Sequence, residues 1–420
     1  MNKSRATWWA NEFLNVEQNE LTIAGRNARA VAERDGTPLY VYGRARILQN
    51  YETIRRHFAA AGGDLETRIS YAAKANPHPR ILRLLAEQGA WLDAVSPGEV
   101  RTALEAGFPA RRILYTGTSV SEDDLKAVFA PDGITVNIDA LEQMDLMKEV
   151  RDRWFRRRRI RVAVRWNPGL GRGFSPRAVT AGERSADGTP VKFGVEAAKV
   201  GRVFGKAARF GFLPVGLHQH LGSGWVREDF PAVKEAVRRM VRKAGELEQR
   251  GFRLEFLDFG GGFGPRFYRT QGLFPAADYI RHIVRTVAKA GLSIKAVAVE
   301  PGKALVADAG VLLLRVVYVK KSYGHVIACV NAGTFNTVPR PAVYAQASHE
   351  IVNADRVDGP NKVRVTVAGH LCETGDVFGK ERLMPMPRRG DILAVLCAGG
   401  YSRSMASRYN SRPIPKEILV

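Results

Sequence analysis

Ile-Ser-Tyr-Ala-Ala-Lys-Ala-Asn-Pro, residues 69–77, decides how this chain is read. Ile69 to Ala73 is a short apolar run of the kind that forms a buried strand, and Pro77 stops it. Lys74 follows the run directly, with small Ala72, Ala73 and Ala75 leaving room beside its amine. A lone lysine at a strand end usually snorkels to water. Here the surrounding pattern repeats. Apolar runs recur at Ile69–Ala73, Trp91–Val95, Ile113–Thr116, Ile134–Ile138, Ile160–Trp166, Val215–Gln219, Leu254–Phe259 and Ala296–Glu300. Amphipathic helical stretches lie between them, among them Pro79–Gln88, Pro97–Ala106, Ser121–Phe129, Phe230–Gln249 and Ala276–Ala290. Eight strand-then-helix units in about 240 residues predict an α/β fold, a (β/α)8 TIM-like barrel. A doubly wound sheet is the alternative, but no GxGxxG opens the first unit.

A barrel of this kind carries its chemistry just past the C-terminal ends of its strands. Lys74 follows the first run, Asp93 and Ser96 the second, and Arg165 ends the fifth. His220-Leu-Gly-Ser223 follows the sixth, Gly260-Gly261-Gly262 the seventh and Glu300-Pro-Gly-Lys303 the eighth. The long Gly/Ser/Pro-containing stretch from Asn167 to Gly194 is expected to hang over the same face, as lids do.

After Ala304 the texture turns to β, with runs at Val311–Lys320, His325–Val330, Val363–Ala368 and Asp391–Leu396. Strands at Glu20–Ile23 and Leu39–Tyr42 are expected to pair with these, making the β domain discontinuous. The expected segments are therefore 1–43 joining the β domain, 44–308 as the barrel, and 309–420 as the β domain.

The chain has 420 residues, 45% of them hydrophobic and 25% charged, as in ordinary globular proteins. Its cysteines, Cys329, Cys372 and Cys397, form no CxxC pair, which argues against a disulfide framework and a zinc site. No apolar leader or membrane-length stretch is seen, so a cytoplasmic protein with no membrane partner is expected. The net charge of +22 raises the question of nucleic acid. Its densest patch, seven arginines between Arg151 and Arg161, falls on an expected solvated turn, and no nucleic-acid-binding motif accompanies it. The reading is of surface charge, which helps attract an anionic substrate.

The strand-end residues have a common chemistry. Gly260, Gly261 and Gly262 leave backbone N–H groups uncovered, at the usual phosphate corner of such barrels. Ser223 could add a hydroxyl to that phosphate, and His220 could stack on a flat ring. A buried Glu300 needs a partner, and a pyridinium N–H is one. Together with Lys74 these parts specify pyridoxal 5′-phosphate.

The motifs carrying that chemistry are Tyr-Ala-Ala-Lys74-Ala-Asn, Ser96-Pro-Gly-Glu, Arg165-Trp-Asn-Pro-Gly, His220-Leu-Gly-Ser223-Gly, Gly260-Gly-Gly and Glu300-Pro-Gly-Lys303. They continue in Arg340-Pro-Ala-Val-Tyr344, Cys372-Glu373-Thr-Gly-Asp376 and Tyr401-Ser-Arg-Ser-Met. In this order they resemble the fold-type III (alanine racemase-like) pyridoxal-phosphate-dependent decarboxylases, most of all the diaminopimelate decarboxylases. The resemblance spans residues 35 to 413. It implies that Lys74 carries the cofactor and that Asp93, Arg165, His220, Ser223, Gly224, Gly260–Gly262, Glu300, Gly302, Lys303 and Tyr401 surround it. It further implies that Lys303, Arg340, Tyr344, Glu373 and Tyr401 hold a small amino-acid substrate. Cys372 would be the proton donor after carbon dioxide leaves. In that family the Cys372–Glu373 pair reaches into the neighbouring subunit's barrel, so a homodimer with shared active sites is implied.

The chain departs from the family at several points. Position 303 is Lys where the family has Arg, keeping the charge but losing the planar fork. Leu-Gly-Arg-Gly-Phe-Ser-Pro-Arg-Ala-Val-Thr (170–180) replaces the usual His-containing run, Thr116-Gly-Thr-Ser stands for Gly-Asn-Lys-Ser, and Trp225 follows Gly224 where Gln is common. These changes bear on the substrate more than on the reaction. A relative acting on another amino acid or biosynthetic intermediate is the alternative, as is a racemase; Cys372 favours decarboxylation. A non-catalytic cofactor-binding protein fits less well, since such proteins are typically single barrels without the β domain.

Overall fold

The structure, a computed structural model, describes residues 7–156 and 158–420. It separates into two compact units. One comprises Tyr51–Gly264 and Gly272–Gly302; the other gathers the residues up to Asn50, Pro265–Gln271 and Lys303–Val420.

The first unit holds eight parallel strands: β1 (Glu66–Ala72), β2 (Trp91–Ala94), β3 (Ile113–Tyr115), β4 (Thr135–Ile138), β5 (Arg161–Asn167), β6 (Leu213–His218), β7 (Phe256–Asp258) and β8 (Ala296–Val299). Each pairs with the next, and β8 returns to β1 with Val299 opposite Ile69. Closure of β8 on β1 leaves no free edge, which excludes the open doubly wound sheet. Strands β4 and β8 are buried at every position, as expected where helices cover the outside and side chains fill the inside. Inside the barrel Leu114, Ala163, Val215, Phe256 and Ala296 form one cluster. The helix Phe230–Gln249 buries Val233, Ala236, Val237, Met240, Val241, Ala244 and Leu247, a stripe at 3.6-residue spacing facing the sheet.

Ser96, singled out at the end of β2, serves as a helix cap. Its hydroxyl accepts from the Glu99 N–H at 3.2 Å, while Glu99 Oε2 accepts from the Val95 N–H at 2.8 Å. The two bonds set the start of the helix Pro97–Glu105.

The second unit is built on a mixed sheet running Ile351–Asn353, Ile392–Val395, Gly310–Ser322, His325–Val330, Lys362–Ala368 and Val377–Pro385. Leu39–Tyr42 joins it against Gly310–Ser322, and Lys416–Leu419 pairs parallel to Leu39–Tyr42. The β domain is thus discontinuous. Glu20–Ile23 differs from expectation: it pairs with Leu14–Glu17 and Arg26–Asn27 in a separate three-stranded sheet. The tight turn at Gln18 and Asn19, both at positive φ, folds it back on its immediate neighbour before any distant strand.

The packing also draws the junctions differently from 43/44 and 308/309, and it places Pro265–Gln271 with the sheet. The first turns of the helix Arg44–Ala61 are tied to that unit. Arg46 pairs with Asp308 at 2.6 Å, and the Asn50 amide donates to the Leu305 carbonyl at 3.1 Å.

The arginine patch is partly structural. Arg151 is buried, lies 4.6 Å over the Phe212 ring and donates to the Phe210 carbonyl at 2.5 Å. Arg158 donates to the Phe129 carbonyl at the end of the helix Glu122–Phe129, and Arg161 pairs with Glu255 at 2.6 Å. Arg157 lies outside the described residues.

Candidate active site

The barrel brings its strand-end residues into one electrostatic neighbourhood. Lys74 sits in the short 3-10 turn Ala73–Ala75 after β1, and its amine pairs with Asp93 of β2, whose backbone is in register with Ala72. Asp93 is fully buried, and its Oδ1 has no partner among the described residues. Arg165 of β5 lies 4.4 Å over the Phe193 ring and 4.0 Å from Asp139. Burial pulls its guanidinium down, and Asp139, Glu300 and Asp93 pull it back up. Asp139 is itself held by the Thr118 hydroxyl at 2.5 Å and the Gly194 N–H at 2.8 Å.

His220 follows β6. The Gly222 N–H donates to its Nδ1 at 3.2 Å, and the Thr180 hydroxyl lies 2.8 Å from the same atom. An Nδ1 that accepts leaves any proton on Nε2. Burial, with Lys74 and Arg165 nearby, holds this imidazole well below its ordinary range, so it is neutral at pH 7. Thr180 belongs to the 167–194 stretch, which is stitched to the turn after β6. Arg172 N–H donates to Leu221 O, Phe174 N–H to Ser223 O, and Ser223 N–H to Ala178 O.

The glycine triplet is a close-packed corner. Gly224 and Trp225 N–H groups both donate to the Gly262 carbonyl, and Gly260 takes the Glu300 N–H on its own carbonyl at 2.9 Å. Gly224 therefore contributes a turn here, its N–H already engaged. A Cβ on Gly262 would strike the Trp225 indole at 2.3 Å, and one on Gly261 would strike the Glu300 carbonyl at 2.2 Å. Gly261→Ala is expected to cost about 1–3 kcal/mol through this overlap, read as a lowered urea midpoint at unchanged slope.

Glu300 is buried at the end of β8, and burial alone would push its carboxyl up. His218, Lys74 and Arg165 outweigh that and hold it below its ordinary range. His218 Nε2 lies 3.2 Å from Glu300 Oε2, whereas Oε1 has no partner among the described residues. Asp258, at the end of β7, accepts the Gly260 N–H at 2.9 Å. Burial, then Glu300, pushes its carboxyl well up, so it is neutral.

In the second unit Lys303, Arg340 and Tyr401 form another group. Lys303 opens the short helix Lys303–Val306, is buried, and has its Nζ 5.5 Å from the Tyr401 ring. Burial and the Arg340 charge push its ammonium well down. Arg340 is buried 4.5 Å over the Phe267 ring, one turn before Tyr344. Cys372 and Glu373 stand apart from these on an exposed loop. Asp376 braces that loop, accepting from Thr334 N–H, Thr334 Oγ1 and Leu371 N–H within 2.8 Å. The Cys372 N–H donates to Asn410 Oδ1 at 2.8 Å. Cys372 is exposed in the chain, so it is not part of the hydrophobic core.

A group fitting the barrel face must satisfy a buried anion at Glu300 Oε1, lie near the Lys74 amine and beside a neutral imidazole. It must also meet the Gly260–Gly262 corner. Pyridoxal 5′-phosphate meets these demands with its ring nitrogen, aldehyde, flat ring and phosphate. The family described as "pyridoxal-dependent decarboxylase, pyridoxal binding domain" matches residues 45–307. The chain belongs to this decarboxylase family.

As a pyridoxal-phosphate-dependent carboxy-lyase it has close full-length relatives. It is 39% identical to the diaminopimelate decarboxylase of Methanothermobacter thermautotrophicus, covering 97% of this chain and 93% of the relative. It is 33% identical to that of Aquifex aeolicus, covering 98% and 93%. Among solved structures, the Methanocaldococcus jannaschii diaminopimelate decarboxylase in complex with L-lysine superposes with a TM-score of 0.88. That match has 29% identity and covers 98% of this chain and 93% of the other. The Helicobacter pylori diaminopimelate decarboxylase in complex with L-lysine gives a TM-score of 0.84 at 28% identity, covering 94% of each.

Sequence reasoning passed over His218, Asp258, Asp139 and Thr180. The signal for His218 was present in Gly216-Leu-His-Gln-His220, a second histidine two residues before the one singled out. Thr180 had no such signal, since its contact depends on how a long loop folds.

Proposed function

We propose that this enzyme removes carbon dioxide from meso-diaminopimelate to give L-lysine, as a cytoplasmic homodimer with shared active sites. The observation that carries the substrate choice is the pair of buried cations, Lys303 and Arg340, each pulled down by burial and Lys303 also by Arg340. Two such cations together favour an anion between them, and the distal carboxylate of diaminopimelate is one. Tyr344 and Tyr401 would flank it, and Glu373 would take the distal ammonium. The relatives' names and their L-lysine complexes support the same reading. No helix among the described residues is long and apolar enough to cross a membrane.

In this reading the barrel is the cofactor unit. Lys74 would hold the cofactor, Glu300 would pair with its ring nitrogen, and His220 would pack against its ring. Asp93, Arg165, Ser223, Gly224, Gly260–Gly262 and Gly302 would complete its surroundings in the barrel. When bound, pyridoxal 5′-phosphate supplies the electron sink for the pair left at the α-carbon as carbon dioxide departs. Glu300, kept anionic by His218, Lys74 and Arg165, would favour a positive charge on that ring nitrogen. The Cys372 thiol then delivers a proton to the α-carbon. A substrate panel with carbon dioxide release as the readout tests the proposal; turnover of another amino acid in preference to meso-diaminopimelate overturns it.

Lys303 gives a sharper test. Its pKa is lowered in the free enzyme, and a bound carboxylate raises it. At a pH between the two values the free ammonium is partly deprotonated, so binding takes up a proton. Calorimetry in two buffers of different ionisation heat should show this uptake, and Lys303→Arg should abolish it, because a guanidinium stays charged. The arginine also restores a bidentate grip. It should keep or improve kcat/KM for meso-diaminopimelate, a tenfold gain being about 1.4 kcal/mol. Impaired turnover in Lys303→Arg would indicate a different substrate.

A further inference from the structure

We infer that His218 is a positioning residue for Glu300: it binds one carboxylate oxygen and leaves the other for the cofactor's ring nitrogen. This rests on the proposed role of Glu300 and adds to it a residue that fixes which oxygen is used.

His218 is the last residue of β6 and is fully buried, with its backbone in register with Arg165 on one side and Asp258 on the other. Closed-barrel register thus fixes its ring beside the end of β8. Its Nε2 lies 3.2 Å from Glu300 Oε2. Because Glu300 is anionic, that atom accepts and His218 Nε2–H donates. Oε1 of the same carboxylate has no protein partner among the described residues, and an unpaired buried carboxylate oxygen is costly. One carboxylate therefore has one oxygen committed to the protein and one in need of a donor.

Asp258 completes the arrangement. One donor atom from each of His218, Asp258 and Glu300 lies within 4.8 Å of the others. A second anion there would disturb the charge on Glu300, but burial keeps Asp258 neutral, and its Oδ1 is taken by the Gly260 N–H. The other charged or titratable groups bearing on Glu300 are Lys74 beyond β1, Arg165 of β5 and Tyr279 of the helix Ala276–Lys289; Asp93 of β2 acts on Arg165 and Asp258, and His220 beyond β6 feels Lys74 and Arg165. Lys74 and Arg165 also favour the carboxylate through their charge.

Removing the His218 donor frees Oε2 and takes away one of the influences holding Glu300 ionised. The proton shared between Glu300 and the ring nitrogen then moves toward Glu300, and the ring loses its charge. Reconstitution with ring-15N-labelled pyridoxal 5′-phosphate reads this directly, because the nitrogen shift separates protonated from unprotonated rings. Wild-type holoenzyme is expected to show a protonated ring across neutral pH. His218→Leu should show an unprotonated shift, cofactor dissociation weakened about tenfold or more by equilibrium dialysis, and kcat lowered about 10- to 100-fold. His218→Gln, whose amide can reach the Nε2 position, should recover most of the protonated shift. If the leucine variant is insoluble, His218→Asn, too short to reach, takes its place.

A protonated ring and wild-type dissociation in His218→Leu would overturn the inference, as would a glutamine variant no better than leucine. Glu300→Gln separates the two levels. If it too leaves the ring protonated, the Glu300 assignment fails; if it alone removes the charge, only the role of His218 fails.

Discussion

Lys74→Ala protein is expected to be colourless and to lose activity by about 10⁴-fold or more, the scale on which removing a covalent catalytic group acts. The position of Lys74 leaves little latitude for a substitute. It sits one short turn past β1, and its amine pairs with buried Asp93. That carboxylate, together with the nearby Glu99, holds the amine at one place on the barrel face. Among the described residues of Tyr51–Gly264 and Gly272–Gly302, no other lysine lies within two residues of the C-terminal end of β1 to β8. Wild-type holoenzyme should absorb in the visible, and borohydride should fix the cofactor on a peptide containing Lys74. Label on a different lysine would refute the assignment. The alanine variant should still fold, since the methyl leaves β1 and its pairings intact, and an unchanged far-ultraviolet dichroism spectrum would separate lost chemistry from lost structure.

Cys372→Ala is expected to lower kcat by about 10²- to 10⁴-fold, the usual contribution of a positioned proton donor, with KM little changed. More telling is complementation. The Cys372 loop is exposed in the single chain while Asp376 braces its base, which suits presentation to another chain better than local packing. Mixing inactive Lys74→Ala with inactive Cys372→Ala should restore activity. A hybrid dimer would contain one site with both residues intact, and random exchange would give about a quarter of wild-type activity per site. No recovery, once mass spectrometry has shown that subunits exchange, would place Cys372 in its own chain's site.

Much of the barrel was legible because its strands are buried on both faces and read as continuous apolar runs. Ala296–Val299 is an example. The strand-end rule then singled out Lys74, Asp93, Arg165, His220 and Glu300 as candidates, which the barrel gathers into one electrostatic neighbourhood. What escaped was set by tertiary packing. Thr180 reaches His220 only because the 171–180 stretch is laced to Leu221 and Ser223. Ser96 looked like chemistry but caps a helix, since Ser-Pro-Gly-Glu is also a good helix start. Val377–Pro385 and Lys416–Leu419 were missed for a simpler reason: both carry charged residues among apolar ones and lack clean alternation.

The placement of Leu39–Tyr42 has a consequence for biogenesis. This strand lies between Gly310–Ser322 and Lys416–Leu419, so neither neighbour exists when it leaves the ribosome. All eight barrel strands are synthesised before the second of those partners appears. The barrel can therefore close during translation, while an apolar four-residue segment, buried at every position in the finished protein, waits unpaired. Pairings this distant in sequence form slowly, which makes docking of Leu39–Tyr42 the expected late step of folding. During that interval the waiting segment is a natural client for a chaperone, and nascent chains stalled before residue 416 should be the ones most readily captured.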